Sequence, residues 1–148
     1  MEAPELIEEA VRDRFPDAVI EAGEIFGVPT LFIRPEMIVD VCAFLKEDPR
    51  LNFDYLMSLT AVDWPDRFEV VYHLYSIQHR HYVTLKVKTD REKPAVPSVT
   101  SVWKAADWQE REAYDMFGIE FEGHPDLCRI LLEPDWEGFP LRKDYVEQ

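Results

Sequence analysis

The sequence has 148 residues, 47% apolar and 31% charged, which fits one soluble globular domain with a single ordinary core. Its net charge of −14 argues against nucleic acid and against direct adsorption to an anionic membrane. Apolar runs such as Ile130-Leu131-Leu132 are too short to cross a bilayer.

The N-terminal segment MEAPELIEEA has no apolar signal region, and Cys42 and Cys128 are far apart, so a reduced, cytoplasmic setting is expected. Leu6, Ile7, Ala10, Val11 and Phe15 recur at helical spacing and predict a helix over residues 5–15, ended by Pro16. Two short strands follow, near Val19–Glu24 and Thr30–Arg34, with Gly27-Val28-Pro29 as their turn. Met37, Val41 and Leu45, with Ile38 and Cys42 beside them, predict a second helix over residues 36–47. Three β-rich stretches come next, 55–62, 68–76 and 82–88, with connections short enough for hairpins.

This order, α-β-β-α-β-β-β, predicts an α+β fold. An antiparallel sheet should carry helices on one face, in a ferredoxin-like sandwich. Residues 90–97 read as a loop, 98–103 as a helical turn, and 105–117 as a third helix stopped by Gly118. The domain proper is expected to span residues 1–118. Residues 119–148 then form an extended tail, broken by Gly123, Pro125, Pro134, Gly138 and Pro140, without helical or strand period.

Signs of chemistry are sparse. The five glycines form neither GxGxxG nor GxxxxGK, which removes the commonest nucleotide sites. Two cysteines cannot supply the four ligands an iron–sulfur cluster generally needs. His79 and His81 flank a hairpin turn, where solvated histidines are the ordinary case. The third helix carries Glu110, Arg111, Glu112 and Asp115 among Trp108, Tyr114 and Phe117. Glu112 and Asp115 share a face by spacing and with Tyr114 could form an acid–base pair. Alternatively, Arg111 pairs with Asp115 at i,i+4, and Glu110 and Glu112 meet water or a partner's cation. The tail holds Phe121, Leu127, Ile130, Leu131, Leu132, Trp136, Phe139, Leu141 and Tyr145, too apolar a load for disorder. It must lie on something, either this domain's own body or another protein. Arg129, Arg142 and Lys143 stand ready to pair with acids.

Several runs resemble the signature of the C-type subunit of NADH:quinone oxidoreductase, respiratory complex I. They are Glu110 through Ile119, Phe121 through Leu127, Arg129 through Leu132, Asp135 through Gly138, and Pro140 through Tyr145. The upstream residues Asp54-Tyr55-Leu56 and Thr60 through Asp63 also look like this family. Cys128 stands where a second Arg is common and Phe139 where a His is common. The resemblance implies a short, unfused chain on the cytoplasmic face of the plasma membrane, held there peripherally through the complex. It implies contact with the D-type subunit, which forms the quinone site, and with the B-type subunit. No cofactor is expected on this chain, with FMN and iron–sulfur clusters elsewhere in the complex. It also implies that Glu110, Arg111, Glu112, Tyr114, Asp115, Phe117, His124, Arg129, Trp136, Leu141, Arg142, Lys143, Asp144 and Tyr145 serve partner binding. Alternatives are the equivalent chain of a membrane-bound hydrogenase or methanophenazine-linked complex, or a stand-alone enzyme using Glu110, Glu112, Tyr114 or His124.

Overall fold

A computed structural model describes residues 3–145. Helix α1 (Ala3–Arg14) leads into strands β1 (Val19–Ile25) and β2 (Val28–Ile33). A 3-10 turn, Pro35–Met37, opens helix α2 (Ile38–Glu47). Strands β3 (Tyr55–Asp63), β4 (Phe68–Ser76) and β5 (His81–Thr89) follow. Helix α3 (Ala106–Phe117) lies between two short strands, β6 (Ala95–Pro97) and β7 (Glu120–Glu122).

The order of elements agrees with the sequence reading, and the fold is α+β. The sheet differs from expectation, being mixed and not wholly antiparallel. Its order is β1-β2-β5-β4-β3, and β2 runs parallel to β5. The chain leaves β2, crosses through α2 to the far edge as β3, and returns by two hairpins until β5 lies beside β2. This is not the β-α-β-β-α-β connectivity of a ferredoxin-like sandwich. Parallel neighbours need a long crossover, and the β2–α2–β3 passage makes that arrangement possible.

Alternation along the strands sends Leu31, Ile33, Leu85, Val87, Val70, Tyr72 and Leu74 to one face, all buried. There they meet Ile7 and Val11 of α1 and Ile38, Val41 and Leu45 of α2. Helix α3 packs on the edge strand β3, and the Gln109 side chain accepts the otherwise unpaired Leu59 amide. Gly118, at φ +78°, ends α3 as its spacing predicts.

Two local readings shift. The β1–β2 turn is Phe26-Gly27, both at positive φ, so Pro29 falls inside β2. A non-glycine residue in this left-handed region costs roughly 1–2 kcal/mol, and Phe26 is also completely exposed. Residues 95–97, expected as loop, pair with β7, and Ile119 and Phe121 are buried. Regular structure therefore persists to Glu122, and the irregular run begins at Gly123.

Candidate functional site

Asp115 is buried on the side of α3 that faces the tail. Its Oδ2 accepts the consecutive backbone amides of Ile130, Leu131 and Leu132 at 3.1, 2.7 and 3.1 Å. Its Oδ1 accepts the Arg129 Nη1 at 2.7 Å. Successive amides converging on one anion form a concave nest, so a single carboxylate fixes three residues of irregular backbone and one guanidinium. Burial alone would push Asp115 upward, but these amides and the guanidinium hold it below the usual carboxylate range.

A second buried carboxylate repeats the device. Asp63, at the end of β3, accepts the Lys143 amide at 2.7 Å and also pairs with Arg91. Burial opposes its charge, yet the Lys143 amide and Arg91 keep it below the ordinary range. Between the two aspartates, aromatic rings and arginines alternate. Arg91 and Arg142 lie over Phe68 at 4.6 and 5.0 Å, and Arg142 and Arg129 lie over Phe139 at 4.9 Å each. Arg142 Nε also donates to the Phe117 carbonyl at 2.6 Å.

The Phe139 ring closes over Gly118. A Cβ built on Gly118 would sit 2.6 Å from that ring. Gly118→Ala therefore meets a left-handed backbone and an occupied space together. We expect a loss of about 2–4 kcal/mol in urea unfolding, with the tail loosened first. An unchanged midpoint would contradict this packing.

The predicted site residues thus separate into three groups. Glu110 and Asp115 are fully buried and engaged within the chain. Arg111, Tyr114, Phe117, His124, Arg129, Arg142 and Tyr145 are buried or half-buried. Glu112, Trp136, Leu141, Lys143 and Asp144 are exposed. Lys143 binds inward through its backbone amide while its side chain faces out.

The expected i,i+4 pair does not form. Asp115 takes Arg129, while Arg111 donates to Cys128 Sγ at 3.2 Å and lies over Trp108 at 5.7 Å. Both unusual residues, Cys128 and Phe139, are thereby accounted for as internal packing partners. Glu112 and Asp115 do not converge, because one is exposed and the other buried. Nor does Glu110 meet water or a partner's cation. Its carboxylate accepts the Ser98 hydroxyl at 2.6 Å and the Val99 amide at 2.8 Å, fixing the turn before α3. Burial raises its pKa, against the opposing pull of those two donors.

His124 has a buried side chain with Nε2 2.9 Å from Asp107 Oδ1, and its Nδ1 accepts the Asp126 amide at 2.9 Å. His79 is exposed, as expected, and His81 is half-buried; their Nε2 atoms lie at the carbonyls of Pro49 and Leu51 and so tie the hairpin to the loop after α2. No group of three or more His, Cys, Asp or Glu among the described residues could hold a metal ion.

Sequence reasoning missed Asp63 and Arg91 as tail anchors. The signal for Asp63 was the resemblance around residues 60–63, and Arg91 had none, since Asp63 and Lys143 lie 80 positions apart.

The tail thus has an inner side fixed to the body and an outer side left open. Leu131, Trp136 and Leu141 are 54%, 42% and 56% exposed, and Trp108 of α3 is 53% exposed. Leu141 borders a groove of about 250 Å³ with Glu112, Met116 and the β3 edge. A family model described as "Respiratory-chain NADH dehydrogenase, 30 Kd subunit" matches residues 31–148. The chain belongs to this family.

Curated relatives agree. The C subunit of NADH-quinone oxidoreductase from Roseiflexus sp. (strain RS-1) is 50% identical over 139 residues, covering 92% of this chain and 80% of the relative. The C 2 subunit of NADH-quinone oxidoreductase from Rhizobium etli (strain CIAT 652) is 46% identical over 145 residues, covering 96% and 77%. Among solved structures, a trypsin-resistant fragment (1–134) of Nqo5 matches with a TM-score of 0.70 at 30% identity, covering 83% of this chain and 98% of the fragment. A chain of a membrane-bound sulfane sulfur reductase, an archaeal respiratory membrane complex, matches at 0.82, also at 30% identity, covering 98% and 86%. The resemblance read from the tail signature is therefore to the right family, the C-type subunit of complex I. No helix among the described residues is long and apolar enough to cross a membrane.

Proposed function

We propose that this chain is a non-catalytic scaffold and assembly component of a proton-translocating NADH:quinone oxidoreductase. It sits in the hydrophilic arm on the cytoplasmic face of the plasma membrane, held there through other subunits. It docks on the quinone-site (D-type) subunit and on the B-type subunit through the outer side of α3 and the tail. Flavin and iron–sulfur chemistry belongs to other members of the complex.

The observation that carries this reading is the two-sided tail. Asp115 and Asp63 bind its inner side to the body, while Leu131, Trp136 and Leu141 stay in water. Isolated apolar side chains on a surface are ordinary, but three on one preorganised, irregular segment fit a docking surface better. Holding the segment in shape beforehand lowers the entropy lost on binding.

The test is purification of a tagged chain from native membranes under mild detergent. The proposal expects flavin, iron–sulfur centres and NADH:quinone activity to elute with it. Elution of the chain alone would contradict it. The likeness to the sulfane sulfur reductase chain supports a second reading, the same scaffold role in a complex with another electron donor such as a membrane-bound hydrogenase. In that event the co-eluting activity would be hydrogen- or sulfur-dependent and flavin would be absent. The identity of about one half to quinone oxidoreductase subunits favours the first reading.

A further inference from the structure

The sheet face away from α1 and α2 carries a groove of about 590 Å³. Val28, Thr30, Val71, Thr84, Met57 and Val62 line it, and Ile25 and Phe26 of the β1–β2 hairpin form its lip. Five of the thirteen exposed large apolar side chains among the described residues lie on this groove: Ile25, Phe26, Met57, Val62 and Tyr82. No residue of α1, α2, α3 or the tail lines it.

Two further observations say what covers it. The first is Phe26, fully exposed at a positive φ where Asn or Gly is ordinary. An exposed ring buries no apolar area in this fold to offset the left-handed strain, and such departures from local preference cluster at functional surfaces. The second is charge. Lys86 and Lys88 converge on one Phe32 ring, at 5.6 and 4.9 Å, and neither makes an ion pair among the described residues. The carboxylate opposite Lys88, Glu69, is taken by Arg67, and Glu21 beside Phe32 pairs with neither lysine. In a chain of net charge −14, two like charges held together without a counter-ion ask for an anion from outside.

We propose that this groove binds a segment of a partner protein that places apolar side chains along the sheet and a carboxylate over Lys86 and Lys88. It is a second docking surface, distinct from the tail, and it rests on the proposed subunit role only in taking the partner to be another member of the complex. A concave groove suits a polypeptide segment better than a flat bilayer, and the net charge opposes an anionic membrane. A second copy of this acidic chain would be repelled for the same reason.

The experiment uses the assembled complex with a photo-reactive benzophenone side chain at Tyr82, which lines the groove and is 45% exposed. The expected adduct is with one other subunit, on a peptide holding an acidic residue among apolar ones. An adduct with a second copy, with lipid only, or none at all overturns the proposal. Phe26→Asn gives the second arm. It relieves the left-handed strain, so the isolated chain should melt at the same or a higher temperature. Its recovery in the complex should nonetheless fall about tenfold, as for loss of one anchoring aromatic. Lys86→Glu with Lys88→Glu should lower recovery similarly. Recovery at the wild-type level for both variants overturns the proposal, as does sedimentation of the isolated chain with phosphatidylglycerol vesicles. Tail variants run alongside separate the two ideas. If they abolish assembly while the groove variants do not, the groove fails and the subunit role stands. If the wild-type chain elutes alone, the role itself fails.

Discussion

Asp115→Ala should detach the tail from the body at a cost of about 3–5 kcal/mol, the range for breaking a buried, hydrogen-bonded charge pair. Four donors lose their acceptor at once: the amides of Ile130, Leu131 and Leu132 and the Arg129 guanidinium. Arg129, whose side chain is only 8% exposed, would be left as an unpaired charge in a poorly solvated place. The cost falls first on attachment of the tail, so limited proteolysis within residues 123–145 should accelerate before the sheet unfolds. Asp115→Asn keeps one acceptor and should lose less. Equal protease resistance in wild type and Asp115→Ala would show that the nest does not hold the tail.

The same geometry fixes a pH dependence. Asp115 and Asp63 have folded pKa values below their unfolded ones. Their contribution is therefore complete above the unfolded carboxylate range, near pH 4, and is lost as pH falls through the lower folded values. Glu110 is raised instead, so its contribution is present below the unfolded range and declines as pH rises through its folded value. Acid release of the tail should thus set in as pH falls below the unfolded carboxylate range, and Asp115→Ala should abolish the share of that transition that Asp115 carries.

Trp136→Ala combined with Leu141→Ala should have the opposite profile. Both side chains face water, at 42% and 56% exposure, so removing them should change the isolated chain's stability by only about 0.5 kcal/mol. If the outer side of the tail is the docking surface, the pair should cost the complex about 2 kcal/mol or more, roughly thirtyfold in affinity. Complex recovery on a native gel and the urea midpoint of the isolated chain separate the two effects. Normal recovery would move the docking surface elsewhere. Unfolding of the isolated chain would mean that these residues serve its own packing.

Which parts of this were legible in the sequence follows from the range of each interaction. Hydrophobic period and punctuation carried the three helices and the five main strands, because Pro16, Pro49 and Gly118 act on their own neighbours. The mixed sheet was not legible by the same route. The periodicity of β5 is the same whether β2 runs with it or against it. One signal was available: β2, Val-Pro-Thr-Leu-Phe-Ile, is apolar at five of six positions, the composition more usual for strands in parallel pairings than for a half-solvated antiparallel strand. The acidic cluster on α3 misled because spacing says which residues share a face and nothing about what that face meets. Asp115 found the tail, fourteen to seventeen residues later, and not Arg111, four residues away. The tail's apolar load was legible, but its division into an inner and an outer side was not, since that depends on Asp63 reaching Lys143 across 80 positions.

The central claim is that the tail is already folded onto its own body and meets its partners in that shape. Hydrogen–deuterium exchange of the isolated chain at neutral pH tests it most directly. The amides of Ile130, Leu131, Leu132 and Lys143 should be protected without any partner, and that protection should vanish in Asp115→Ala at the first three and in Asp63→Ala at the last. Exchange of all four at unfolded-chain rates in the isolated wild type, with protection appearing only in the complex, would contradict it.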